Sequence, residues 1–318
     1  MMFFSLLISL FSTLHAVDIN SAKLGLMGEL QGRSIIIKVM DDKGKKVAVF
    51  KPTSGSTFYK GEFTAYKLAE FVGIGELYPP TVIVFMTPST QAKVKTMLDA
   101  VAYSVPKKEE NRKILLEEIN RNIETGKDLY GALKTWITDI QFYKPLGSKQ
   151  GFKLHPVYKY IKVTSPRAPH KPYTIEQCTQ LIEPKGCMSG TGYLDQMTRD
   201  MSSIMLLDAV IGNSDRFPGG NLHFKVTGKT ARLFSLDNGA VLKPNDFIGF
   251  EMLDEFGVSR FVKKHVDKLR QLKTMPKENV MKLLGFAPED YEIFIINLNK
   301  TLEYIDDLKE SYRNKVWF

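Results

Sequence analysis

The stretch Ile211-Gly-Asn-Ser-Asp-Arg-Phe-Pro-Gly-Gly-Asn221, followed by Leu236-Asp-Asn-Gly239, decides how the rest of the chain is read. Asn221 stands six positions after Asp215 (221 − 215 = 6), and Asp237 stands 22 positions after it (237 − 215 = 22). Phosphoryl transfer requires such a set. One carboxylate orients an attacking hydroxyl, and two oxygen ligands hold the metal on the nucleotide phosphates. Mg²⁺ and Mn²⁺ are hard cations, so Asp and Asn suit them where Cys or His would not. Each piece alone is also an ordinary turn sequence, because Asn, Asp and Gly tolerate left-handed backbone. Asp-Asn-Gly after an apolar run is likewise a hairpin turn.

The surroundings favour the chemical reading. Leu194, Met197, Met201, Ile204 and Met205 recur at helical spacing and make one apolar face. Leu206, Leu207, Ala209 and Val210 make the last turn apolar nearly all round, with Asp208 the exception. Leu222-His-Phe-Lys-Val226 and Ala231-Arg-Leu-Phe-Ser-Leu236 read as two short strands around Thr227-Gly-Lys229. Buried helix, polar loop, hairpin and Asp-Asn-Gly follow one another in the order of a kinase catalytic loop and its metal-binding loop.

Upstream, Ser34-Ile-Ile-Ile-Lys-Val-Met40 and Lys46-Val-Ala-Val-Phe-Lys51 are β-rich runs joined across Asp41-Asp-Lys-Gly44, a hairpin signal. Gly61 to Val72 carries apolar residues at helical spacing, with Glu62 in its first turn. A kinase needs a strand lysine on the α- and β-phosphates and a helix carboxylate to hold that lysine. Lys51 and Glu62 stand in the order this demands, and Glu70 and Glu76 are alternative partners. Alone, a strand-end lysine faces solvent and an early helix glutamate serves the dipole. Gly25, Gly28 and Gly32 precede the first clear strand without Gly-x-Gly-x-x-Gly spacing, although backbone from Gly28 to Arg33 could cover phosphates. Pro79 to Met86 reads as a strand, about 90–138 as helical, about 139–192 as irregular, and the chain beyond Phe247 as three or more helices.

A chain of 318 residues suffices for two lobes, and 43% hydrophobic and 25% charged residues are globular values. The net charge of +9 favours nucleotides, anionic lipid or acidic proteins. No zinc-finger spacing or RNA-binding aromatic signature stands out, so no nucleic-acid partner is expected. Met2 to Phe11 is an apolar core of signal-peptide length, and Leu14-His-Ala16 offers a small residue before a cut. Export, whether secreted, periplasmic or into a secretory lumen, is therefore expected. Cys178 and Cys187 lie nine positions apart (187 − 178 = 9); a turn would join them as a disulfide in an oxidising compartment, and two free thiols are the other reading.

Val47-Ala-Val-Phe-Lys-Pro52, Gly61-Glu-Phe-Thr-Ala-Tyr-Lys-Leu-Ala69 and Tyr78-Pro-Pro-Thr-Val82 resemble the small lobe of phosphatidylinositol 3-/4-kinases. They also resemble secretory-pathway kinases of the Golgi casein kinase type. Asp208 to Arg216, with Leu236-Asp-Asn-Gly239, is similar to the catalytic and metal loops of both groups. The chain has neither His-Arg-Asp nor Asp-Phe-Gly at these loops, so the likeness is to the atypical branch of the kinase-like superfamily. The resemblance implies an α+β, two-lobed protein-kinase-like fold. A signal at 1–16 would precede an N-lobe with a helical insert at 17–138 and a C-lobe at 139–318. It implies that Lys51 holds the ATP phosphates with Glu62 as its ion-pair partner. Asp215 would be the catalytic aspartate, and Asn221 and Asp237 the Mg²⁺ or Mn²⁺ ligands. Thr135 to Ile137 would lie near the adenine hinge. The expected reaction is transfer of the ATP γ-phosphate to a protein or lipid hydroxyl, with contact to an anionic membrane surface possible. The alternative is a nucleotide-binding pseudokinase, or a nucleotidyl- or other group transferase on the same fold.

Overall fold

The computed structural model describes residues 17–28, 34–53, 59–138, 140–142, 148–178, 187–217, 221–227, 230–242 and 249–318; for 141–142, 174–178 and 187–190 it describes the backbone alone. The expected export signal at 1–16, the Pro218-Gly219-Gly220 part of the loop and the cysteine side chains lie outside the described residues. The architecture is α+β. The chain divides into two compact units, the first made of 1–63 and 79–136, the second of 64–78 and 137–318.

The first unit is built on an antiparallel sheet of β1 (Lys23–Leu26), β2 (Ile37–Met40), β3 (Lys46–Pro52), β4 (Thr81–Met86) and β5 (Leu129–Thr135). Their order across the sheet is β1-β2-β3-β5-β4. Alternation gives the sheet two faces of opposite character. Ile37, Phe50 and Leu133 are register neighbours on one face, with Val82 opposite Leu133. That face packs into a buried cluster with Val94 and Leu98 of a helix at Pro88–Asp99, and with Leu115 and Ile119 of another at Pro106–Thr125. Lys51, Ala132 and Lys134 alternate onto the other face, since Lys51 lies opposite Ala132 and Lys134 two residues along.

Two sequence expectations are corrected in this unit. The span read as helical from about 90 to 138 holds two helices and then the strand β5, which sits between β3 and β4. Gly126 ends the second helix at φ 67°, a left-handed terminus suited to glycine, and frees the chain to extend. Gly25, weighed for a phosphate loop, lies in β1 opposite Lys38, so its backbone belongs to the sheet. Gly32 lies outside the described residues.

The helix carrying Glu62, α1, spans Tyr59–Val72, and the division between the units falls within it after Phe63. In the second unit, a five-stranded sheet orders β6 (Ile140–Phe142), β9 (Leu222–Thr227), β10 (Thr230–Ser235), β8 (Cys187–Tyr193) and β7 (Pro172–Cys178). The region read as irregular from 139 to 192 therefore holds three strands, together with short helices at Lys149–Leu154 and Pro156–Tyr160. In the β7–β8 register Cys178 stands directly opposite Cys187. The sheet is joined by a nearly wholly buried helix, Leu194–Ile211, and by helices at Phe250–Glu255, Lys263–Thr274, Lys277–Leu284 and Pro288–Tyr312. The apolar face and apolar last turn of the long helix Leu194–Ile211 are buried as the periodicity predicts, and the polar residues Thr198, Asp200, Ser202, Ser203 and Asp208 are buried with them. Among the described residues, no helix is long and apolar enough to cross a membrane.

Candidate functional site

The first unit gathers three charged side chains on the non-core face of its sheet. Lys51 leaves β3 and pairs with Glu62 at 2.6 Å, Nζ to Oε1. Lys134 leaves β5 and takes the other oxygen of the same carboxylate at 2.7 Å. All three are buried, at 5%, 2% and 6% exposure respectively. Register explains the meeting. Lys51 lies opposite Ala132, whose side chain is only a methyl, and Lys134 projects from the same face one pleat along. Burial alone would push the Glu62 carboxyl up. The charges and hydrogen bonds of Lys134 and Lys51 outweigh it and hold the group well below the usual carboxylate range. Gly131 sets the close approach of the strands, because a Cβ there would meet the Lys51 carbonyl oxygen at 2.4 Å.

Neither alternative partner reaches Lys51 as Glu62 does. Glu70 pairs with Lys67 at 2.8 Å, and Glu76 lies 3.7 Å from Arg232. Thr135 closes β5, and the backbone N–H of Trp136 donates to the Val47 carbonyl.

In the second unit one buried arginine organises the loop on which the reading began. The Arg216 guanidinium clasps Asp208 on two sides: Nε reaches Oδ2 at 2.7 Å and an Nη reaches Oδ1 at 2.7 Å. The two residues are 1% and 0% exposed. The fork continues outward, donating to the Asn221 carbonyl at 2.8 Å, the Leu236 carbonyl at 3.3 Å and Asn238 Oδ1 at 2.8 Å. A planar five-donor group suits this task, and a lysine could not reproduce it. Asn213 joins from the helix end, with its side-chain amide donating to Asp208 Oδ1 at 2.9 Å. The helix stops where Gly212 turns left-handed at φ 64°, which aims the following loop back toward Asp208.

These bonds set the three expected site residues. The Asp215 N–H donates to Asn213 Oδ1 at 3.1 Å, fixing the backbone of the aspartate. The Asn221 side-chain amide donates to the Asp215 carbonyl at 2.8 Å, so those two positions are directly bonded. The Leu236 N–H donates to the Asn221 carbonyl at 3.0 Å, which brings the strand end before Asp237 to the same place. Asp237 is exposed and adopts a positive φ of 49°, a conformation unusual for a residue with a side chain. Such strain clusters at ligand-binding positions and persists only when its surroundings hold it. Here Arg216 clasps the carbonyl before Asp237 and the side chain after it. On the other side, Phe217 stacks on Phe152 at 5.2 Å and lies 4.9 Å from Phe256, ring centre to ring centre.

The donor chemistry fits a metal that arrives with phosphate. Among the described residues, no group of three or more His, Cys, Asp or Glu side chains forms a ready cage. Mg²⁺ is held by one or two carboxylates plus substrate phosphates; Asp237 would supply one carboxylate and Asn221 a neutral amide oxygen. With its NH₂ committed to Asp215, Asn221 would present Oδ1. Lys134, Asn213 and Asn238 are members of these clusters that the sequence reading did not single out. No protein-family model matches the chain, and no curated protein matches it.

Proposed function

We propose that the protein is an exported atypical kinase that transfers the γ-phosphate of ATP to a hydroxyl, on a two-lobed protein-kinase-like fold. The observation that carries this reading is the Asp208–Arg216 ion pair, whose outer bonds join the loop of Asp215 to Asn221 and to the turn bearing Asp237. A surface turn has no need of a bidentate buried arginine, whereas phosphoryl transfer depends on positioning and fixed charge.

In this reading Asp215 accepts the hydrogen bond of the acceptor hydroxyl and directs its oxygen in line at the γ-phosphorus. The new O–P bond forms as the bond to the β-phosphate bridging oxygen breaks, ADP leaves, and the hydroxyl proton passes to Asp215. Lys51, held by Glu62, engages the α- and β-phosphates. Asn221 and Asp237 would hold Mg²⁺ or Mn²⁺, which supplies charge neutralisation on the phosphates when bound.

The reading takes Met2 to Phe11 as the export signal and Cys178–Cys187, opposite one another on paired strands, as a disulfide. The acceptor is a protein or lipid hydroxyl. Incubating purified protein with γ-labelled ATP, Mg²⁺ or Mn²⁺, and separate protein and lipid pools tests both points. Label in one pool is expected. Label in neither, with label from α-labelled ATP appearing instead, would overturn phosphoryl transfer in favour of nucleotidyl transfer.

A further inference from the structure

We infer that Lys134 is a positioning residue, which fixes the carboxylate of Glu62 and through it aims the ammonium of Lys51; the inference rests on the kinase reading of Lys51. Two lysines on adjacent strands divide one carboxylate between them, one per oxygen, at 2.6 Å and 2.7 Å. A glutamate end group turns easily, because its terminal torsion is broad. Held only by Lys51, the carboxylate could follow that flexible side chain. Held at both oxygens, it becomes a fixed bracket.

Both anchors come from inner strands of the sheet, and each is the penultimate residue of its strand, Lys51 of β3 and Lys134 of β5. Lys134 lies opposite Val49 of β3 and opposite Thr81 of β4. Both ammoniums are buried, so their bonds to Glu62 act with little solvent screening. Small misplacements of a phosphate-binding group cost rate steeply, which gives such a bracket a purpose. In this reading Lys134 does not touch the nucleotide and acts through Glu62.

A double-mutant cycle separates this role from a structural one. The variants are Lys51→Met, Lys134→Met and both together, with transfer from γ-labelled ATP as one readout. Lys134→Met is expected to lower kcat by about tenfold to a hundredfold while the protein remains folded. The double variant should be no slower than Lys51→Met alone, because Lys134 acts through Lys51. Multiplying effects, or an unchanged kcat with only a lowered melting temperature, would overturn the inference.

A second readout does not need activity. The acylation rate of Lys51 by an amine-reactive ester, followed by peptide mass spectrometry, should change in Lys134→Met. An unchanged rate would sink the bracket even if the enzyme transfers phosphate. Conversely, no transfer by the wild-type protein together with altered Lys51 reactivity in Lys134→Met would sink the kinase reading and keep the bracket. Should Lys134→Met fail to fold, Lys134→Gln, which keeps a donor but no charge, enters the same comparisons.

Discussion

Arg216 shows how much one side chain can decide. Its guanidinium neutralises Asp208 at the end of a buried helix, while its outward bonds fix Asn221, Leu236 and Asn238. Removing the cation would leave a carboxylate buried without its partner, at a cost of about 3–5 kcal/mol. Arg216→Met should therefore lower the unfolding free energy by that amount, read from a lower denaturant midpoint at unchanged slope. Arg216→Lys keeps the charge but loses the fork, so it should retain much of the stability and lose most of any transfer activity. Equal loss of stability in both variants would show that the charge alone does not hold Asp208, and full transfer activity in Arg216→Lys would show that the geometry of the fork is unimportant. The sequence shows Asp208 as the lone charge in an apolar helical turn and Arg216 next to the aspartate. It does not show that they meet, because seven residues, the left-handed Gly212 among them, intervene. Asp215 and Asp237 stand out as candidates in the sequence because the chemistry proposed for them depends on residue type and spacing.

Elements place these side chains, and here the sequence is read unevenly. The helix Leu194–Ile211 and the hairpin of β9 and β10 follow from periodicity, since both have strong patterns. β5 is hidden within a span that reads as helical. Leu129-Tyr-Gly-Ala-Leu-Lys-Thr135 is poor in β-branched residues and contains alanine and glycine. The informative signal is Gly126, a helix terminator, after which Leu129 to Lys134 is buried except at Tyr130. Missing that strand means missing Lys134. Tertiary contact also explains two positions no local pattern marks. A Cβ on Gly249 would come within 1.7 Å of the Ala209 carbonyl oxygen on the long helix, so only glycine fits there without backbone movement. Phe217 anchors its loop between Phe152 and Phe256. Phe217→Ala should destabilise the second unit by about 3–5 kcal/mol, measured by urea unfolding. A loss under about 1 kcal/mol would show that the aromatic cluster does not hold this loop.

Over the whole molecule, titration couples the buried polar groups to pH. Burial is the main force that pushes both His155 and His265 down to about 4 from 6.5, with Lys264 adding to the shift at His265. His265 Nδ1 lies 2.9 Å from the hydroxyl of Ser203. The unfolded chain binds these protons near pH 6.5, while the folded chain resists them until about 4. Stability is therefore complete above 6.5 and falls as pH drops from 6.5 toward 4. His265→Asn, whose amide can either donate to or accept from Ser203, should make that fall shallower in urea midpoints measured against pH. An identical slope would remove His265 from the account. Glu62 acts at lower pH. Its depressed carboxyl stabilises the fold above its ordinary value of 4.5, and that contribution is lost as pH falls below it. The α+β class and the polar loop of the second unit are visible in the chain alone; its division inside α1 is not, because that helix is continuous in pattern from Tyr59 to Val72. In the proposed kinase Asp215 orients the accepting hydroxyl while other residues hold the nucleotide. MgATP affinity and phosphate transfer measured side by side for Asp215→Asn separate the two roles. Wild-type affinity with transfer reduced by about a hundredfold or more is expected. Transfer at the wild-type rate would contradict the role given to Asp215.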